Sequence, residues 1–303
     1  MTHSSSRMPG NESRRYALRA GEYLAISADA IRRDADGLYL VTAGEPPANE
    51  AHGSVGIVNV RGALLQFCSP FGDSYEAIEQ RVREAMAADP KPTTVMLRIS
   101  SPGGLVAGLN ECALRLQRMA KAEGIPLVAY VDELAASAAY ALCCACSQVL
   151  GPASSIVGSV GVISTMISVA AHDADQGIEY RIITSGKRKA DGHLHAPISE
   201  DAVRSETARN AQLAAQFFAL ASRARGVPAK KLESLQAAIY LGRDAVRVGL
   251  LDEVIGLDDA LMGLDRSEIG GPPKAAANTG NITDRRAKEP RADVARLLKN
   301  ARA

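Results

Sequence analysis

The chain contains no tryptophan, only four phenylalanines among 303 residues, and no apolar run long enough to cross a bilayer. So few aromatics leave little surface for bases to stack on, and a net charge of +1 sets up no field that would draw a polyanion. Nucleic acid is therefore not expected as a partner. The longest small and apolar stretch, Leu134 to Cys146, is rich in alanine and serine and falls short of the about 20 residues that a spanning helix needs. The opening MTHSSSRMPGNESRRYALRA is polar and basic and lacks the apolar core of a secretory signal. No membrane association is expected, and the cytoplasm is the expected compartment. The five cysteines, Cys68, Cys112, Cys143, Cys144 and Cys146, are an odd number and are expected as reduced thiols. Cys143 and Cys146 form a C-x-x-C, but no second pair completes a zinc site, and small core residues on a helix explain them. No metal or organic cofactor is expected.

What is present is ordinary globular composition, 47% hydrophobic and 23% charged. The expected organisation is a disordered terminus over 1–20, an N-terminal segment over 21–53, one catalytic-type domain over 54–264, and a flexible basic tail over 265–303. A short helix is predicted near Tyr23–Arg33. Val55–Val60 and Ala63–Phe67 read as strands around Arg61-Gly62. Asp73 or Ser74 can cap a helix that carries Ile78, Val82 and Ala85 on one face. Val95–Ile99 reads as a strand, although Arg98 interrupts it. A helix with Leu109, Ala113 and Leu116 on one stripe follows, then a strand over Pro126–Val131 and a helix over Ala135–Cys146. Tyr180–Thr184 reads as another strand. A long helix is predicted over 200–225, with Val203, Ala211, Ala215, Phe218 and Ser222 on its inner side. This alternation of strands and helices with short turns predicts parallel α/β layers.

Two segments 52 positions apart (189 − 137) suggest chemistry. The first is Ala135-Ala136-Ser137-Ala138-Ala139-Tyr140, a serine among small residues at the head of a helix. The second is Ser185–Gly192, a loop containing Lys187, Arg188, Lys189 and Asp191. A hydrolytic serine needs a base for its proton and donors for the developing oxyanion. The five histidines (3, 52, 172, 193 and 195) lie in no recognisable histidine-dependent active-site segment, and Ser137 has no G-x-S-x-G around it. A desolvated lysine can serve instead, because burial lowers its pKa. Asp191 would hold the proton on a neighbouring lysine and is left out of the catalytic set. His193 and His195 are expected at the surface. Backbone N–H groups at Gly103 and Gly104, in a turn between strand and helix, suit an oxyanion hole.

Read in order, these segments resemble the signal peptide peptidase A/protease IV family of serine peptidases, within the Clp protease–crotonase fold. The resemblance is carried by Ser101-Pro102-Gly103-Gly104, by Ala135–Tyr140, by Gly158-Ser159-Val160-Gly161-Val162-Ile163, and by Gly186–Lys189. Tyr240–Ala245 with Gly249–Glu253 resembles the family's closing segment. The resemblance implies repeated β-β-α units with parallel sheet layers, Ser137 as nucleophile and Lys189 as general base. It further implies that Ser159 supports the base and that Gly103, Gly104 and Ala138 shape the oxyanion hole. Homo-oligomers and a preference for small side chains are also implied. Ala138-Ala139 departs from the Gly-Gly usual after the nucleophile, and the membrane anchor of one branch is absent. The Gly186–Gly192 loop, G-x-x-K-x-D-G, is similar to that of tailed-phage head maturation proteases. That branch implies scaffold, portal or other head proteins as substrates, in the host cytoplasm or inside a procapsid. The alternatives are a bacterial cytoplasmic protease of the same family and a non-catalytic scaffold or binding protein on the same fold. Acyl-CoA chemistry and a Clp-type Ser-His-Asp triad fit the loop and the histidines less well.

Overall fold

Runs of β-branched and aliphatic residues become strands where partner edges are available, and this holds even near the N-terminus. The computed structural model describes residues 48–67 and 73–269 in full and, before them, the backbone of four short strands. These are β1 (Arg15–Ala17), β2 (Tyr23–Ile26), β3 (Ile31–Asp34) and β4 (Gly37–Val41). The helix predicted near Tyr23–Arg33 is therefore replaced by two strands. β3 and β4 pair antiparallel from Asp34 opposite Gly37, and β1 adds to β4. The Arg15–Ala17 strand also corrects the expectation of disorder over 1–20 at those three residues; residues 1–14, Cys68 and the tail from 270 lie outside the described residues.

The main layer follows from β5 (Glu50–His52) and β6 (Val55–Arg61); the chain then leaves that sheet through β7 (Leu64–Leu65) and β8 (Asp73–Ser74). Helix α1 (Tyr75–Met86) begins where the Ser74 hydroxyl accepts from the Ala77 N–H, as the sequence predicts. Next come β9 (Thr94–Ser101), β10 (Gly103–Leu105), α2 (Leu109–Glu123), the long strand β11 (Leu127–Ala136) and α3 (Ala138–Cys143). The second half adds β12 (Gln148–Gly151), β13 (Ile156–Gly158), β14 (Ile163–Ser164), α4 (Ala170–Asp175) and α5 (Glu200–Arg225). It ends with α6 (Ala229–Ser234), β15 (Ile239–Leu241), α7 (Gly242–Val248), β16 (Glu253–Val254) and α8 (Leu257–Asp265).

The main sheet runs β15-β13-β11-β9-β6-β5, with β12 also paired to β11 and β16 to β12. Pairings β6–β9, β9–β11, β11–β12, β11–β13 and β12–β16 are parallel. The expected α/β class with parallel layers is thus present. Both faces are covered, which explains the nearly continuous apolar runs. Val58, Val60, Val95, Leu97, Ile99, Leu127, Ala129 and Val131 pack with α1, α2 and α3. Val55, Ile57, Met96, Val128 and Tyr130 pack with Ala260, Leu261 and Leu264 of α8. Arg98 alternates onto the same face as Met96 and is matched there by Asp132, with Nε 2.9 Å from Oδ2.

Three sequence expectations shift. Tyr180–Thr184 forms no strand; Ile183 is 89% exposed and the segment has no neighbouring edge to pair with among the described residues. Helix α5 has the predicted bounds but a different inner face: Ala202, Phe217, Leu220, Ala221 and Arg225 are buried, while Val203 is exposed. Most of its inward residues lie in the C-terminal half, where Phe217, Leu220 and Ala221 meet the core. Finally, Ala135 and Ala136 belong to β11, not to the helix after it.

Candidate active site

Strand β11 sets the position of Ser137. Its first half pairs with β12 and its second half with β13, and its register against β9 shifts between Val131 and Ala135. The strand carries on to Ala136 opposite Gly158, and the chain then turns directly into α3. Ser137 makes that turn with φ 54° and ψ −116°, a conformation that side-chain-bearing residues rarely hold. The Ser137 N–H is fixed by the Gly158 carbonyl at 2.8 Å. Its hydroxyl does not cap the helix; it faces the Gly161 carbonyl at 3.4 Å. Ser137 is 1% exposed, and Ala135, Ala136, Ala138 and Ala139 around it are fully buried. A strained serine between a strand and a helix, with its hydroxyl free of capping duty, is the geometry of a nucleophile elbow. Ala135 and Ala139 stand where G-x-S-x-G has its glycines, so the small-residue pattern around Ser137 lacks that motif.

Ser159 stands one residue beyond the carbonyl that holds Ser137. It is half-buried, has φ 52°, and its N–H donates to the Ala238 carbonyl at 3.0 Å. Gly158, with φ 132°, has no room for a side chain: a Cβ would lie 2.4 Å from the Ala238 carbonyl. The structure therefore brings Ser137 and the Gly158–Gly161 segment together. Gly158 and Gly161 were quoted in the sequence only as motif positions, and their carbonyls are contacts that spacing alone does not reveal.

The Ser101–Gly104 segment corrects one expectation. Gly103 and Gly104 are not in an open turn but begin strand β10. The Gly103 N–H is taken by Ser101 Oγ at 3.1 Å, and that hydroxyl donates to the Gly62 carbonyl at 2.7 Å. Gly103 is thus committed to holding the segment's shape. Gly104 sits opposite Leu64, and a Cβ there would lie 1.9 Å from the Leu64 carbonyl oxygen. Ser101 is the residue that sequence reasoning passed over; a serine directly before Pro-Gly-Gly is a recognisable turn-setting signal. Ala138 is the first residue of α3, so its N–H is among those that the helix ladder leaves without a partner.

Lys189 is not brought to Ser137. It lies exposed in the 185–193 loop, where its N–H donates to the Gly186 carbonyl at 2.9 Å. Lys187 is within 3.9 Å of Asp201, and Arg188 bonds Ser205 at 2.5 Å. The loop is rooted by His195, which the sequence placed at the surface. His195 is half-buried, its Nδ1 2.8 Å from Asp173 Oδ2, and it stacks on Tyr180 with ring centres 4.0 Å apart. His193 is exposed, as expected.

The C-x-x-C cysteines are buried core residues. Burial pushes the thiols of Cys143 and Cys146 far up and that of Cys144 to about 12, so none is a thiolate near neutral pH. No cluster of three or more His, Cys, Asp or Glu able to hold a metal occurs among the described residues. No helix among them is long and apolar enough to cross a membrane. The closing Gly249–Glu253 segment is structural. Tyr140 Oη donates to the Leu250 carbonyl at 3.0 Å, and Asp252 pairs with the buried Arg225 at 2.6 Å, so α3 and α5 are tied to one point.

An α/β layer that delivers a strained serine to the mouth of a helix defines a hydrolase-type site. Residues 119–268 match the model of peptidase family S49, and the chain carries a domain of that family. Head-tail preconnector protein GP5 of Enterobacteria phage P21 is 30% identical over 251 residues, covering 78% of this chain and 49% of the relative. Capsid assembly protease C of Escherichia phage lambda is 29% identical over 187 residues, covering 62% of this chain and 42% of the relative. The chain spans less than half the length of these two relatives. A solved ClpP1 mutant from Listeria monocytogenes aligns with a TM-score of 0.44 at 14% identity, over 68% of this chain and 94% of that one.

Proposed function

We propose that the chain is a serine endopeptidase that processes head proteins during phage or prophage capsid assembly, with scaffold and portal proteins as substrates. The observation that carries the peptidase reading is the Ser137 elbow: a buried, strained serine whose hydroxyl does not cap the helix and reaches only the Gly161 carbonyl, at a long 3.4 Å. The phage role is supported by the names of the P21 and lambda relatives and by the Gly186–Gly192 loop. In this reading Ser137 attacks the peptide carbonyl, and the N–H groups of Ala138 and Gly104 receive the oxyanion. Neutral Lys189 takes the serine proton and returns it to the leaving amine, with Ser159 orienting its amine. The exposed position of Lys189 in the single chain favours a homo-oligomer in which the lysine of a second copy completes the site. Such a protein works in the host cytoplasm or within a procapsid.

The test is labelling and cleavage with the chain co-produced beside its neighbouring head proteins. A serine-directed fluorophosphonate is expected to label the wild type and not Ser137→Ala, and head-protein cleavage is expected to disappear in both Ser137→Ala and Lys189→Ala. Labelling retained in a folded Ser137→Ala sample would remove Ser137 as nucleophile. Full activity in Lys189→Ala would remove the assigned base.

A further inference from the structure

The second sheet has the order β14-β2-β10-β7-β8, and the strand between β14 and β10 comes from far away in the chain. Strand β10 follows directly on Ser101, whose register partner is Ala135, two residues before Ser137. Strand β14 begins at Ile163, two residues after Gly161, whose carbonyl faces the Ser137 hydroxyl. The two strands thus leave opposite flanks of Ser137, and in the sheet order they are not neighbours. Neighbouring strands lie about 4.8 Å apart, so β10 and β14 frame a slot about 10 Å wide that admits one extended chain. Strand β2 fills it antiparallel on both sides. Ile26, Ala25 and Leu24 stand opposite Gly103, Gly104 and Leu105, while Leu24 and Tyr23 stand opposite Ile163 and Ser164.

An extended peptide held by backbone bonds along sheet edges is a general mode of peptide capture. We propose that β2 is an internal occupant of the peptide-binding slot: residues Tyr23–Ile26 take the strand position of a substrate and hold the site closed in cis. The proposal rests on the peptidase reading above and adds a means of regulating it. Ala25 reaches Gly104 across 79 positions (104 − 25), so local connectivity does not impose the contact. Closing such a loop has an entropic cost that specific pairing must offset. Tethering also raises the local concentration of the strand, so pairing of modest strength keeps the slot filled. The 1% exposure of Ser137 fits a closed state. Opening would follow when an incoming substrate or an assembly partner displaces the N-terminal segment.

Ala25→Pro tests this, because proline removes an amide from β2, which is paired on both sides, and is poorly tolerated there. Hydrolysis of a short fluorogenic peptide is expected to rise at least about fivefold, the factor carried by one lost strand hydrogen bond. Among Gly104, Leu105, Ile163 and Ser164, the amides that bond β2 are expected to lose hydrogen-exchange protection, while the Gly103 amide, held by Ser101 Oγ, keeps it. A synthetic peptide of residues 21–28, added in trans, should restore both protection and the low rate. Unchanged protection with hydrolysis at the wild-type rate overturns the occupancy and leaves the peptidase reading standing. Lost protection with no hydrolysis by either protein overturns the peptidase reading and, with it, the substrate-like role of β2. Leu24→Pro serves as a second variant. The wild type also decides the matter without any variant, since free exchange at these slot amides, in place of the about 100-fold protection expected of a paired strand, overturns the proposal.

Discussion

Ser137 is held in its turn at the expense of stability. A side chain held at φ 54° and ψ −116° costs about 1–3 kcal/mol, and the surrounding strand and helix must over-determine it. They do so through the Gly158 carbonyl on its N–H and two fully buried alanines on each side. Ser137→Gly keeps the backbone path and relieves the strain, while glycine's extra freedom in the unfolded chain offsets part of the gain. The expected outcome is a protein about 1 kcal/mol more stable than wild type, read as a higher urea midpoint at unchanged slope, with all fluorophosphonate labelling lost. A Ser137→Gly protein no more stable than wild type would show that the elbow angles are held without strain. The sequence shows the serine and its small neighbours but not the angle. Only the meeting of β11, β13 and α3 reveals that this serine turns the chain and does not cap the helix.

At the scale of elements, strand β10 carries the most information per residue. Gly104 meets Leu64 on one side and Ala25 on the other. A methyl group there would lie 1.9 Å from a backbone oxygen, a clash no rotamer can relieve. Gly104→Ala is therefore expected to destabilise the fold by about 2–3 kcal/mol through forced separation of β10 and β7, measured by the same urea titration. A cost under about 0.5 kcal/mol would mean that β7 moves away freely. The same strand shows where sequence reading runs out. The pattern of the main sheet was legible: the apolar runs of β6, β9 and β11, the Ser74 cap of α1 and the bounds of α5 all follow from local signals. What was missed depends on distant partners. Ser101–Gly104 looks like a turn until β2 and β7 arrive on either side of Gly103–Leu105. Tyr180–Thr184 has the composition of a strand, yet finds no edge among the described residues. Tyr23–Arg33 has helix-compatible spacing, yet sheet edges recruit two strands from it. The inner face of α5 is misread for a related reason: its contact with the main core is made by Phe217, Leu220 and Ala221, and which stripe turns inward depends on that distant partner.

For the whole molecule, the separation of the proposed nucleophile from the proposed base is the main consequence of the fold. Ser137 is rooted in the main sheet and buried, whereas Lys189 lies on an exposed loop braced by His195 against Asp173 and Tyr180. A lysine serves as a base for serine only when its surroundings are desolvated. Either the loop folds inward within one chain, or another copy covers it and receives it. The two routes differ in a mixed assembly. Ser137→Ala retains the lysine and Lys189→Ala retains the serine, so neither homogeneous protein cleaves. When the two are co-produced, a base supplied across an interface restores up to about a quarter of wild-type turnover, the share of sites that pair an intact serine with an intact lysine under random closed association. Turnover is read with the short peptide, and assembly by sedimentation of the same sample. A mixture that assembles but stays inactive places the base within the same chain, and the exposed loop must then close over its own Ser137.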